Sequence, residues 1–401
     1  MTYSEIWHRI ATSYDDGEAR AIARILIEEL FGLSYADIVC GATEQLSADD
    51  TLRLDTAVRR IEQGEPLQHV LGYADFCGNR FCVNGSVLIP RPETEWLVDE
   101  GAKLMSTTAT SSPKRILDIG TGSGCIAISL KLRLGDAYVE AWDISEEALR
   151  TAQDNADALK AEVTFRKRDA LKAEGECLQG GALVSSAPTG QAMDSINSNE
   201  GALVSSAPTE QTMDSINSNE GALVSSAPTG QTMDSINSNE GALVSSAPTG
   251  QAMDSINSNE ASTTAAPWDL IVSNPPYICD SERSAMDDNV LLHEPHTALF
   301  VPDDDPLRFY RAIARYALLT LNTGGSLLFE CNTRYAEATG TMLRDMGFEE
   351  VTVSDDCFNL PRFVRGKQPL PTLPVGEGLV TQGEANCRRL RHSCRSHWQL
   401  K

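Results

Sequence analysis

Asn274-Pro275-Pro276-Tyr277 lies directly after the apolar run Asp269-Leu270-Ile271-Val272-Ser273, where an open α/β sheet would present it at a carboxyl edge. These residue types suit the handling of a planar amide. The Asn274 side-chain oxygen offers one acceptor for an NH2 group and the Pro275 carbonyl a second. Two prolines remove competing donors and stiffen the turn, and Tyr277 can pack over the planar group. A nitrogen held in this way can be aligned with a methyl donor. Its lone pair is delocalised, so the reaction depends on alignment, which can lower a barrier by roughly 7 to 11 kcal/mol. Alone, the motif also reads as a rigid Pro-Pro turn after a buried strand, the weaker of the two readings.

A second constellation lies upstream. Asp118-Ile119-Gly120-Thr121-Gly122-Ser123-Gly124 follows another apolar run and opens a helical pattern, the place where a sheet offers backbone N–H groups and close approach to a ligand. A dinucleotide fingerprint would want its third glycine at the position of Cys125; here it falls one residue early, at Gly124. Asp143 ends the next apolar run, where a carboxylate can accept hydrogen bonds from both hydroxyls of a ribose; the alternative role is a helix N-cap. Asp169 follows the third run near the same edge and could face an adenine amine, or simply be a solvated loop carboxylate. The cofactor-binding candidates are Asp118, Gly120, Thr121, Gly122, Ser123, Gly124, Asp143, Asp169 and Asn274. The catalytic and substrate-binding candidates are Asn274, Pro275, Pro276 and Tyr277.

The elements that must position these residues alternate. Strands are expected over 115–120, 137–144, 162–169, 268–274, 326–331, 350–354 and 363–366, with helices between them; such alternation argues for an open parallel sheet. Ahead of it, Ala19, Ile22, Leu26 and Leu30 recur at helical steps before Gly32. A second helix runs from a Ser47 cap through Leu54, Val58 and Ile61 to Gly64, giving a small helical unit over residues 1–72. Residues 73–95 read as a β-hairpin linker, with Asn84-Gly85 as the turn signal.

The chain has 401 residues, 41% of them hydrophobic, and a formal net charge of −24. That charge opposes a nucleic-acid backbone, so direct DNA contact is not expected. A 20-residue unit, GALVSSAPTGQAMDSINSNE, occurs four times over 181–260 with changes at few positions. Without aromatic or basic residues it cannot offset its ordering entropy, so 175–266 reads as a low-complexity insert in the 96–368 domain and not as a solenoid. Residues 369–401, proline-rich and then basic, read as a flexible tail. The opening MTYSEIWHRI lacks a signal-type apolar core, and no run approaches the length of a membrane span, which suggests a cytoplasmic protein. The ten cysteines show no zinc-ligand spacing, so no metal is expected.

Gly64-Glu65-Pro66-Leu67-Gln68-His69-Val70-Leu71-Gly72, then Ile89-Pro90-Arg91-Pro92-Glu93-Thr94-Glu95, the Asp118 to Gly124 turn with Asp143, and Ser273-Asn274-Pro275-Pro276-Tyr277-Ile278 together resemble the HemK/PrmC family, the release factor glutamine methyltransferases. Glu294-Pro295 and Phe363-Val364-Arg365-Gly366 also look familial. The resemblance covers roughly residues 1–174 and 266–368. It implies a class I (Rossmann-like) methyltransferase fold, a seven-stranded mostly parallel sheet with a small helical N-terminal domain that docks the substrate protein. It also implies S-adenosylmethionine as cofactor, class I peptide-chain release factors as partners, and methyl transfer to the glutamine of their Gly-Gly-Gln motif by a monomeric enzyme. Two departures are visible: the repeat insert between the third and fourth strands, and Ala170 after Asp169 where some members place an aromatic.

Three other readings compete. Asn-Pro-Pro-Tyr also serves adenine amino-methyltransferases on DNA, which need base flipping and a basic groove. The same glutamine chemistry could act on a ribosomal protein. The chain could also be an inactive cofactor-binding adaptor whose insert has disrupted the site.

Overall fold

The computed structural model describes residues 1–107, 112–182 and 267–370. The expected repeats beyond residue 182 and the expected tail beyond residue 370 lie outside the described residues.

The first helices are α1 (Tyr3–Ile10), α2 (Asp16–Phe31), α3 (Tyr35–Val39), α4 (Ala48–Glu62) and α5 (Leu67–Leu71). The expected punctuation is in place. Asp15 caps α2 by accepting from the N–H groups of Gly17 and Glu18, and Gly32 ends it in the left-handed conformation. Ser47 caps α4. Leu26, Leu54, Val58 and Ile61 are buried in one core with Ile6 and Ile10 from α1.

The expected hairpin is present, but its turn is not at Asn84-Gly85. Strands β1 (Tyr73–Phe76) and β2 (Asn79–Cys82) are joined through Cys77-Gly78, both at positive φ, 49° and 75°. A tight two-residue hairpin turn needs that conformation at both central positions. Asn84 instead ties the following loop together. Its Oδ1 accepts from the Ser86 N–H, and its Nδ2 donates to Thr151 Oγ1.

Helix α6 (Glu95–Thr107) leads into the sheet. Then follow β3 (Arg115–Ile119), α7 (Cys125–Leu134), β4 (Tyr138–Asp143), α8 (Glu146–Leu159), β5 (Val163–Lys167) and α9 (Ala173–Ala182). After the undescribed segment come β6 (Trp268–Ser273), β7 (Ile278–Cys279), α10 (Asp288–His293), α11 (His296–Leu299), β8 (Phe300–Val301), α12 (Arg308–Thr320), β9 (Leu321–Glu330), α13 (Ala336–Asp345), β10 (Glu349–Asp355) and β11 (Pro361–Lys367).

Seven strands form one sheet in the order β10-β11-β9-β6-β3-β4-β5. Pairing is parallel from β9 to β5, and β11 runs antiparallel to both its neighbours. The central parallel strands β3 and β6 are buried on both faces, as crossover helices require: Ile116 and Val272 belong to one core, Leu117 and Ile271 to the other. From β3 the chain proceeds outward through β4 and β5, then returns to β6 on the opposite side of β3. Such a switch point leaves a crevice at the carboxyl ends of β3 and β6. Among the described residues, no helix is long and apolar enough to cross a membrane.

Candidate active site

The glycine turn leaves β3 with Gly120, Gly122 and Gly124 all at positive φ, a conformation that costs other residues strain. Gly124 is constrained twice: an added Cβ would lie 2.9 Å from Ile128 Cδ1 and 3.1 Å from Ala152 Cβ, so it also lets α7 and α8 pack closely. Most of the turn's N–H groups are used internally, contrary to a simple cradle of free donors. Gly120 and Thr121 donate to the Trp142 carbonyl at 2.8 and 2.9 Å, and Gly124 donates to the Thr121 carbonyl. Gly122 donates to Asp143 Oδ2 at 2.9 Å.

Asp118 is fully buried beneath this turn. Thr121 Oγ1 donates to its Oδ2 at 2.6 Å. Burial pushes the Asp118 carboxyl up to about 7. Ser123 is buried too, and its carbonyl accepts from Asn155 Nδ2 at 2.9 Å. Asn155, buried on α8, also exchanges hydrogen bonds with the backbone of Cys82, so it joins the hairpin to the turn.

Asp143, at the end of β4, accepts from Gly122 through Oδ2 and from the Ser145 N–H through Oδ1, both at 2.9 Å. Burial raises its carboxyl, and these backbone donors partly offset the rise. Capping of α8 falls to Ser145, whose hydroxyl accepts from the Ala148 N–H. Asp169 is tied into its own turn, accepting from the Leu171 N–H and pairing with Lys172 at 3.1 Å. It stands one strand further out, where the Arg168 N–H meets the Asp143 carbonyl.

The two sequence motifs meet at the centre of the sheet. Ile119 and Ser273 are register partners, and Ser273 Oγ donates to the Ile119 carbonyl at 2.6 Å. Just beyond them, a Cβ at Gly120 would lie 4.0 Å from the Asn274 carbonyl oxygen. Pro275 is buried, and Asn274, Pro276 and Tyr277 are half-buried. Asn332 Nδ2 donates to the Tyr277 carbonyl at 3.3 Å.

Sequence reading missed the groups behind this corner. Asn274 Nδ2 donates to Thr94 Oγ1 at 3.4 Å. Thr94 Oγ1 donates to Glu330 Oε2 at 2.7 Å, and the Tyr277 hydroxyl donates to Glu330 Oε1 at 3.4 Å. Thr94 and Glu330 are 3% and 1% exposed. Thr94 ends a short 3-10 helix, Pro92–Thr94, whose approach is pinned by the buried Glu294: it pairs with Arg91 at 2.5 Å and accepts from the Ile89 N–H. A carboxylate closing the apolar run Leu327-Leu328-Phe329-Glu330 was the available signal.

A sheet of this strand order, with a glycine turn after its first strand and an Asn-Pro-Pro-Tyr corner after its fourth, defines a class I methyltransferase. Two family profiles match, the PrmC N-terminal domain over residues 8–72 and the Methyltransferase small domain over residues 95–199. The release factor glutamine methyltransferase of Bacteroides thetaiotaomicron is 34% identical over 351 residues, covering 88% of this chain and 93% of its own. That of Flavobacterium psychrophilum is 29% identical over 360 residues, covering 89% and 94%. This chain belongs to the release factor glutamine methyltransferase family. Among solved structures, a methyltransferase from Pyrococcus furiosus aligns at 10% identity and a TM-score of 0.36 over 81% of this chain and 100% of that one, a likeness too distant to bear on the site.

Proposed function

We propose that this chain transfers a methyl group from S-adenosylmethionine to the side-chain amide nitrogen of the glutamine in the Gly-Gly-Gln motif of class I peptide-chain release factors. The observation that carries the reading is the juxtaposition of Gly120 and Asn274 at the switch point of the sheet, which puts a cofactor turn and an amide-binding corner side by side.

The residues present suit S-adenosylmethionine. A Cβ at Gly122 would meet nothing within 4 Å, so the turn is open to close approach. Asp143 spends one backbone donor on each oxygen, leaving lone pairs for two ribose hydroxyls. Asp118 supports the turn from beneath, and Asp169 borders the adenine end. With few unspent N–H groups and two carboxylates nearby, the turn suits a cationic ligand better than a phosphate. When bound, the cofactor supplies an electrophilic methyl group on a cationic sulfur.

At the corner, Asn274 Oδ1 and the Pro275 carbonyl accept the two N–H bonds of the glutamine amide and hold its nitrogen toward the Gly120 side. Tyr277 flanks the planar group. An N–C bond forms as the S–C bond breaks, and the amide nitrogen then sheds one proton to water, so a strong base is not needed. The helices of residues 1–72 are the proposed docking element for the release factor, a reading supported by the match to the PrmC N-terminal domain. We place the reaction in the cytoplasm, with the enzyme acting as a monomer.

The test is mass spectrometry of an unmethylated release factor after incubation with this protein and S-adenosylmethionine. The expected result is a gain of one methylene mass on the Gly-Gly-Gln glutamine. Cofactor binding without any gain would overturn the reading.

A further inference from the structure

An asparagine corner can accept from an incoming NH2 group only through its oxygen, yet the two ends of the side chain are nearly the same size. Something must decide which end faces the substrate. We propose that Thr94 and Glu330 are positioning residues that make this decision for Asn274, and so help to select a neutral amide as the methyl acceptor. The inference rests on the proposed function above.

The argument is one of hydrogen-bond direction. An ionised carboxylate only accepts, whereas a hydroxyl has one hydrogen to give and lone pairs to receive with. Glu330 Oε2 takes the Thr94 hydrogen at 2.7 Å. Thr94 Oγ1 then offers Asn274 only lone pairs, and the group it meets is Nδ2, at 3.4 Å. Oδ1 is thereby left for the substrate. The other oxygen of Glu330 accepts from the Tyr277 hydroxyl, so one buried carboxylate orients both ends of the Asn-Pro-Pro-Tyr corner. Burial raises the Glu330 carboxyl, while Thr94 and the nearby Arg362 guanidinium favour its charged form. A buried carboxylate is costly to keep; setting the direction of this relay is a reason to keep it. Were Glu330 unable to take the Thr94 hydrogen, that hydroxyl could donate to Asn274 instead, and the amide would turn its NH2 outward.

The relay is tested on the full chain with Thr94→Val, Thr94→Ser and Glu330→Leu, which offers the Thr94 hydroxyl no acceptor. The readouts are kcat on the release factor, cofactor Kd, and binding of two release factors, one natural and one with glutamate in place of the Gly-Gly-Gln glutamine. Wild type is expected to prefer the glutamine form. Thr94→Val should lose roughly 10- to 100-fold in kcat, the scale of a lost preorganised polar contact, with cofactor Kd little changed, and Thr94→Ser should restore most of the rate. In Thr94→Val and Glu330→Leu the preference for glutamine over glutamate should narrow, an effect that a merely structural role would not produce. Wild-type kcat and preference in Thr94→Val overturn the inference alone; if that variant fails to fold, the same result in Glu330→Leu does so. A wild-type protein that leaves the release factor unmethylated overturns the proposed function and this inference with it.

Discussion

The Ser273 hydroxyl donates to the Ile119 carbonyl at 2.6 Å, closing the gap between the last residues of β6 and β3. Both residues are buried, and each is followed directly by a residue of the site, Asn274 and Gly120. The bond therefore holds two motifs in register that lie 154 residues apart in the chain. Ser273→Ala leaves the buried Ile119 carbonyl without this partner, which should cost about 1 to 3 kcal/mol. Denaturant unfolding would measure the loss. An unchanged midpoint would mean that the strand pairing alone sets this alignment.

Asn274→Ala removes an acceptor from the proposed amide-binding corner. Turnover should fall by about 10² to 10³, with a smaller effect on cofactor affinity. Single-turnover rates and calorimetric titration with S-adenosylmethionine separate the two quantities. Equal losses in both would move Asn274 from substrate orientation to cofactor binding.

Asp143→Ala should weaken S-adenosylmethionine binding by roughly 1 to 3 kcal/mol, because it removes the proposed acceptor for the ribose hydroxyls. The Gly122 N–H also loses its partner, so the turn should loosen even without ligand. Titration calorimetry checks the first effect, and amide hydrogen exchange at Gly122 the second. Wild-type affinity in this variant would exclude Asp143 from cofactor recognition.

Asp118 gives a pH dependence with a definite sign. Its carboxyl is raised from 3.8 to about 7 by burial, so the folded protein holds a proton that the unfolded chain has released. Its contribution to stability is fully present below the unfolded value and is lost as pH rises through the folded one. Over that window the contribution is up to about 4 kcal/mol. Asp118→Asn, which cannot ionise, should flatten the fall in stability between pH 4 and 7. Urea unfolding across that range is the measurement, and parallel curves for the two proteins would show that Asp118 does not titrate there.

Much of the sheet was legible because parallel strands are buried on both faces and read as apolar runs, as in Leu270-Ile271-Val272. The glycine turn and the Asn-Pro-Pro-Tyr corner were legible as local motifs at the ends of such runs. The hairpin was legible but its turn was misplaced, because Asn84-Gly85 carries the familiar turn dipeptide while the actual turn places Cys77 at positive φ, which a cysteine rarely announces. Thr94 and Glu330 were missed for another reason. They are 236 residues apart; Thr94 sits inside the Ile89 to Glu95 segment and Glu330 at the end of an apolar run, but only the fold brings the two together behind Asn274.

The segment from Ile89 to Thr94 reads in sequence as a connector between two modules. In the fold Glu294 anchors it at Ile89 and Arg91, and its last residue bonds to both Asn274 and Glu330. Anyone trimming this protein to its catalytic portion, or exchanging its front end for that of a relative, must therefore place the junction upstream of Ile89. A cut at Glu95 would preserve every strand of the large sheet and still remove the residue that bonds to Asn274 and Glu330 at the proposed site.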